Sequence, residues 1–116
     1  MEQIELTASA RLVIRSSDPN LEGAFGRGCA MLLDGVEIHK SLNKSAKAIG
    51  MAYSKAWRLI KEAEAQLGFD LLVRDGARGS ELTEKGRTLL LTYRRLEDEV
   101  QELLDRRLPE LFVERS

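Results

Sequence analysis

The sequence predicts a mainly helical domain with a small β component, an α+β fold, and three observations predict it. Residues 5–16 alternate in polarity with period 2. Helical spacing of apolar residues then recurs along the chain and ends in one long final segment. Before that segment, two short apolar runs, Leu71-Leu72-Val73-Arg74 and Glu81-Leu82-Thr83, flank the glycine-rich Asp75-Gly76-Ala77-Arg78-Gly79-Ser80. A chain of 116 residues accommodates one compact domain. It divides here into residues 1–83 and a helical extension over 84–116.

The opening stretch places Leu6, Ala8, Ala10, Leu12 and Ile14 on one side and Thr7, Ser9, Arg11, Val13 and Arg15 on the other. That pattern predicts a half-buried N-terminal strand. Ser17-Asp18-Pro19-Asn20 has turn chemistry. A loop through Phe25 and Gly26-Arg27-Gly28 leads into a first helix from about Cys29 to His39, with Leu32, Leu33 and Val36 as its apolar side. Gly35 weakens this helix by about 1 kcal/mol relative to alanine.

Asn43 is a good N-cap for a second helix, whose buried positions are Ala46 and Ile49. Gly50 ends it, where a left-handed residue turns the chain sharply. The third helix, Tyr53 to Leu67, buries Ala56, Ile60, Ala63 and Leu67, with Trp57 beside them as a core residue. Its opposite face carries Ser54, Lys55, Arg58 and Lys61, and Gly68 stops it. The two short strands and their tip then read as a wing. Thr83 caps a long last helix from Glu84 to about Leu108, ended by Pro109. Leu89, Tyr93, Leu96, Val100 and Leu103 are spaced 4, 3, 4 and 3, a heptad seam that predicts a homodimer interface. Leu90 and Leu104 widen the seam, so one edge packs on the domain and the other on a second copy. The apolar tail Leu111-Phe112-Val113 adds to that contact. The fold class is a winged helix-turn-helix with an N-terminal strand and a long C-terminal dimerisation helix.

Charge locates the candidate site. Net charge is -1, yet Lys40, Lys44, Lys47, Lys55, Arg58 and Lys61 follow one another with no intervening acid. Solvated helix surfaces usually mix signs at i,i+4 spacing. A basic helix-turn-helix in a near-neutral chain is a local electrostatic footprint whose counterpart is a phosphate backbone. The predicted DNA-binding residues are Lys44, Ser45, Lys47, Tyr53, Ser54, Lys55, Arg58 and Lys61, with Arg78 and Ser80 at the wing. Second-helix and wing residues neutralise phosphates, while third-helix side chains reach base edges. Arg58 is the base reader, because its planar fork meets guanine bidentately. Tyr53 either donates to a phosphate or packs. Arg74 either meets DNA or bridges to Asp70 or Asp75.

Other function classes lack residues. No apolar run is long enough to span a bilayer, and Met1-Glu-Gln-Ile-Glu5 does not open a signal peptide, so a cytoplasmic protein is expected. Cys29, the one cysteine, reads as a small buried apolar residue. His39, the one histidine, sits at a helix C-terminus and makes neither a zinc site nor a catalytic set. No enzyme activity, metal or cofactor is expected. Two other readings from different classes stay open: a protein-interaction module that kept the fold and lost DNA binding, and a small-anion sensor at the dimer interface.

Three patterns together resemble a known family. Ser41-Leu-Asn-Lys-Ser-Ala-Lys-Ala-Ile-Gly50-Met-Ala-Tyr53-Ser-Lys-Ala56-Trp57 is similar to the DNA-binding domain of ModE-type molybdate regulators. Leu67-Gly-Phe-Asp-Leu71-Leu72-Val-Arg74, followed by Leu82-Thr-Glu-Lys-Gly86-Arg87, resembles the wing region shared by ModE-type and LysR-type regulators. The stretch before the first helix, with Phe25-Gly-Arg-Gly28, looks like the short stand-alone members of the group. The resemblance covers about residues 6–105. It implies a homodimeric transcriptional regulator of double-stranded DNA, with a recognition helix starting near Tyr53 and a wing tip near residues 76–80. Ala52 departs from the serine that often caps that helix in the family. The full regulators carry C-terminal molybdate-binding domains, and this sequence ends at Ser116; the expectation is a stand-alone form without tight oxyanion binding.

Overall fold

The computed structural model describes residues 4–74 and 79–113. Six elements follow in order: α1 (Arg27–His39), α2 (Leu42–Ala48), α3 (Tyr53–Leu67), β1 (Leu72–Arg74), β2 (Ser80–Leu82) and α4 (Glu84–Leu111). The three short helices surround one core, the two strands form an antiparallel wing beside it, and α4 runs outward. The result is elongated, 64 × 33 × 23 Å.

The core forms where the apolar stripes meet. Phe25, Leu32, Leu33, Val36, Ala56, Ile60, Ala63 and Leu71 are buried together. The α1 and α2 stripes approach closely because residue 35 is glycine. A Cβ there would stand 2.0 Å from Ser45 Oγ. The hydroxyl of Ser45 instead reaches across and donates to Leu32 O at 2.7 Å. Cys29 lies in the same core, its Sγ 3.6 Å from Leu59 O, as a small buried residue should.

Four expectations are corrected by the structure. The N-terminal stretch is extended but is not a strand of a sheet; its β pairing is one bridge between Ile14 and Phe25. Leu12 and Ile14 do turn inward, whereas Leu6 is well exposed. Side chains of α4 hold this stretch instead: Tyr93 Oη donates to Leu12 O and Gln101 Nε2 to Ala8 O. α1 begins two residues early, at Arg27. The cap of α2 is Ser41, not Asn43; its hydroxyl accepts from Lys44 N at 3.1 Å. Finally, Pro109 lies inside α4 rather than ending it. It sits in the last turn, where the amide bond it forfeits is one of a fraying end, and Phe112 N still donates to Leu108 O at 2.9 Å.

Thr83 caps α4 as expected, accepting from Gly86 N at 2.9 Å. Two cross-links that local patterning does not reveal fix α4 to α1: Arg87 pairs with Glu37 at 3.0 Å, and Arg94 pairs with Asp34.

Candidate nucleic-acid interface

The helix-turn-helix is built by one glycine. Gly50 adopts φ +71°, its N–H donates to Lys47 O at 3.1 Å, and Met51 N donates to Ala46 O at 2.8 Å. This pair of bonds closes a Schellman turn, which satisfies the last carbonyls of α2 and redirects the chain within two residues. α3 then starts at Tyr53 behind Ala52, which has no side chain to cap it. The first-turn N–H groups of α3 are therefore open to an acceptor from outside, and the helix dipole favours an anionic one.

Most of the expected cations are exposed on the two helices that the Gly50 turn joins. Lys44 and Lys47 are exposed on α2; Ser54, Lys55 and Arg58 are exposed on the outer side of α3, with Tyr53 partly exposed at its start. Two of the cations are already paired within their helix. Arg58 Nη1 donates to Glu62 Oε1 at 2.9 Å. Lys61 lies 3.2 Å from Glu64 Oε1 and 4.4 Å above the Trp57 ring. Trp57, expected as a core residue, is only half-buried and lies outside the core cluster, with the Lys61 ammonium over its ring.

Two expected site residues lie elsewhere. Ser45 is fully buried in the α1–α2 contact and cannot reach a phosphate. The side chain of Ser80 is buried, and its N–H donates to Lys40 O, which docks the wing on the end of α1. Arg78 and the wing tip over 75–78 lie outside the described residues. Tyr93, placed by its spacing in the dimer seam, belongs to the protomer's own core instead. It is 1% exposed, with its ring edge-on to Phe25 at 5.2 Å. Leu96 and Leu103 remain exposed, Val100 is half-exposed, and Leu89 packs against the core.

The sequence analysis gave no role to Glu62, Glu64 or Gln66, although the i+4 spacing of Glu62 from Arg58 and the i+3 spacing of Glu64 from Lys61 are visible in it. Glu64 is buried; its Oε2 accepts from Leu71 N at 2.7 Å, tying α3 to the wing. Among the described residues its Oε1 makes no hydrogen bond, and it lies 3.2 Å from the Lys61 ammonium. The described residues contain no helix long and apolar enough to cross a membrane.

Comparison with known proteins agrees with this geometry. Residues 31–87 match the model of the bacterial regulatory helix-turn-helix proteins of the lysR family. The molybdenum transport protein ModE of Azotobacter vinelandii is 34% identical over 105 residues, covering 87% of this chain and 39% of that protein. The chain thus spans well under half the length of this curated relative. Among solved structures, that of a CbnR_DBD–DNA complex is similar with a TM-score of 0.57 and 29% identity, over 69% of this chain and 90% of that one.

Proposed function

We propose that the chain, similar in sequence and fold to the lysR and ModE type of winged helix-turn-helix protein, is a transcriptional regulator that binds double-stranded DNA as a homodimer. The observation that carries the reading is the exposed basic set, Lys44 and Lys47 on α2 and Lys55 and Arg58 on α3, on the two helices joined by the Gly50 turn at the uncapped start of α3. Such an arrangement offers a phosphate both side-chain cations and backbone N–H groups. Lys44 and Lys47 set the register on the backbone. Ser54, Lys55 and Arg58 enter the major groove with the first turns of α3, and Tyr53 flanks them. Arg78 supplies the wing contact.

Dimerisation belongs to the same reading. Residues 1–83 form the DNA-binding part and 84–116 the dimerisation part, with Leu96, Val100 and Leu103 at the contact and Leu89 at its inner edge. A dimer doubles the phosphate contacts and fixes the spacing of two half-sites. The reading assigns the protein to the cytoplasm, where DNA is accessible, and gives it no catalytic role.

The test is fluorescence polarisation with a random-sequence duplex at low salt, comparing wild type with Lys47→Glu/Arg58→Glu. Both side chains are exposed, so the double variant keeps its fold. Wild type is expected to bind and the variant to lose binding. Equal affinities would refute the reading.

A further inference from the structure

Arg58 stands on the outer side of α3, where the proposed function places base readout. An exposed i,i+4 ion pair ordinarily fixes neither partner. Here the acid partner is fixed. The Glu62 side chain is 21% exposed, against 60% for Arg58. It lies beneath the loop at Gly23: a Cβ on residue 23 would stand 2.7 Å from Glu62 Cβ and 3.3 Å from the carboxyl carbon. Gly23 also has φ +75°, so a side chain there is disfavoured by backbone and by space alike.

The loop is clamped in turn. Gln66, one turn beyond Glu62, donates through Nε2 to the carbonyls of Leu21, Glu22 and Gly23 at 3.0, 3.1 and 2.9 Å. Its Oε1 accepts from both the N–H and the hydroxyl of Ser16 at 2.9 Å. Gln66 holds the loop, the loop confines Glu62, and Glu62 holds Arg58. The single bond runs through Nη1. It leaves the Nε and Nη2 edge of the guanidinium open, and two parallel donors on one edge are what guanine O6 and N7 accept.

We infer that Glu62, seated against Gly23, is a positioning residue that orients Arg58 to read a guanine in the major groove. The inference rests on the DNA-binding reading and adds the residue that gives it sequence preference. Holding the fork before contact lowers the conformational cost of the bidentate contact. The carboxylate itself repels phosphate, so Glu62 trades general affinity for selectivity. A merely structural glutamate makes no such trade.

The test compares wild type, Arg58→Ala and Glu62→Gln by three readouts. Thermal unfolding establishes that each variant is folded. Selection from a randomised duplex library, read by sequencing, gives the preference at every base pair. Relaxation of the Arg58 Nε–H in the free protein reports how tightly the side chain is held. Arg58→Ala is expected to lose a guanine preference at one position of each half-site. Glu62→Gln is expected to lose roughly tenfold at the same position, with affinity for random duplex unchanged or raised and the Arg58 Nε–H more mobile. The inference is overturned if Glu62→Gln keeps the wild-type preference, if it weakens all sequences alike, if it does not fold, or if the Nε–H is equally mobile in both proteins. Wild type that binds no duplex overturns the DNA reading, and the inference with it. Wild type that selects a motif which Glu62→Gln retains overturns the inference alone.

Discussion

At the scale of single residues, close approach and burial set the consequences of substitution. Gly35 invites replacement by alanine on helix propensity alone, which favours alanine by about 1 kcal/mol. The added Cβ would overlap Ser45 Oγ, which is itself bonded to Leu32 O. Overpacking of this kind costs about 1–3 kcal/mol. Gly35→Ala is therefore expected to lower the unfolding free energy in urea, and a stabilised variant would contradict the packing described. Burial also pushes up the Cys29 thiol and the Tyr93 phenol, in both cases chiefly by desolvating the ionised form. The unfolded chain then releases these protons first as pH rises. Stability is full below the ordinary thiol value of about 8.5 and falls above it, through the raised folded values. Melting temperatures measured across that range are expected to decline, and Cys29→Ala to flatten the first part of the decline. An unchanged slope in Cys29→Ala would show that the thiol is not responsible.

At the scale of elements, what the sequence made legible follows from how locally each feature is determined. The limits of α3, the turn at Gly50 and the cap at Thr83 depend on a few adjacent residues, and the structure places them as read. The N-terminal stretch depends on partners far away. Its period-2 pattern is real, but Tyr93 and Gln101 of α4 hold it, so extended backbone forms without a sheet. Ser45 looked like a surface serine because its partner Leu32 lies on another helix. The α4 seam was misread at its inner end for a related reason: spacing marks a face, and on that face Tyr93 is claimed by Phe25 and Leu12 within the protomer while Leu89 packs against the same core. The remaining seam residues, Leu96, Val100 and Leu103, give a direct test. Leu96→Asp/Val100→Asp places charges in the proposed apolar dimer contact, which costs several kcal/mol when they are unpaired. The variant is expected to sediment as a helical monomer. Wild type that is itself monomeric at tens of micromolar, roughly the range in which an obligate dimer persists, would count against the dimer.

At the scale of the whole molecule, charge and shape act together. The six cations from Lys40 to Lys61 sit in a chain of net charge -1, so the rest of the molecule is negative. Such a distribution draws one face toward a polyanion and turns the others away. In the proposed function the helix-turn-helix presents that face, while α4 extends away from the core along a molecule 64 Å long. Binding to random duplex, measured by polarisation over a series of salt concentrations, tests this account most directly. Each phosphate neutralised contributes about -0.9 to the slope of log K against log salt. Wild type is expected to show a steep negative slope, and Lys47→Gln a slope shallower by about one phosphate per protomer. Affinity that does not change with salt, or a slope that Lys47→Gln leaves untouched, would contradict it.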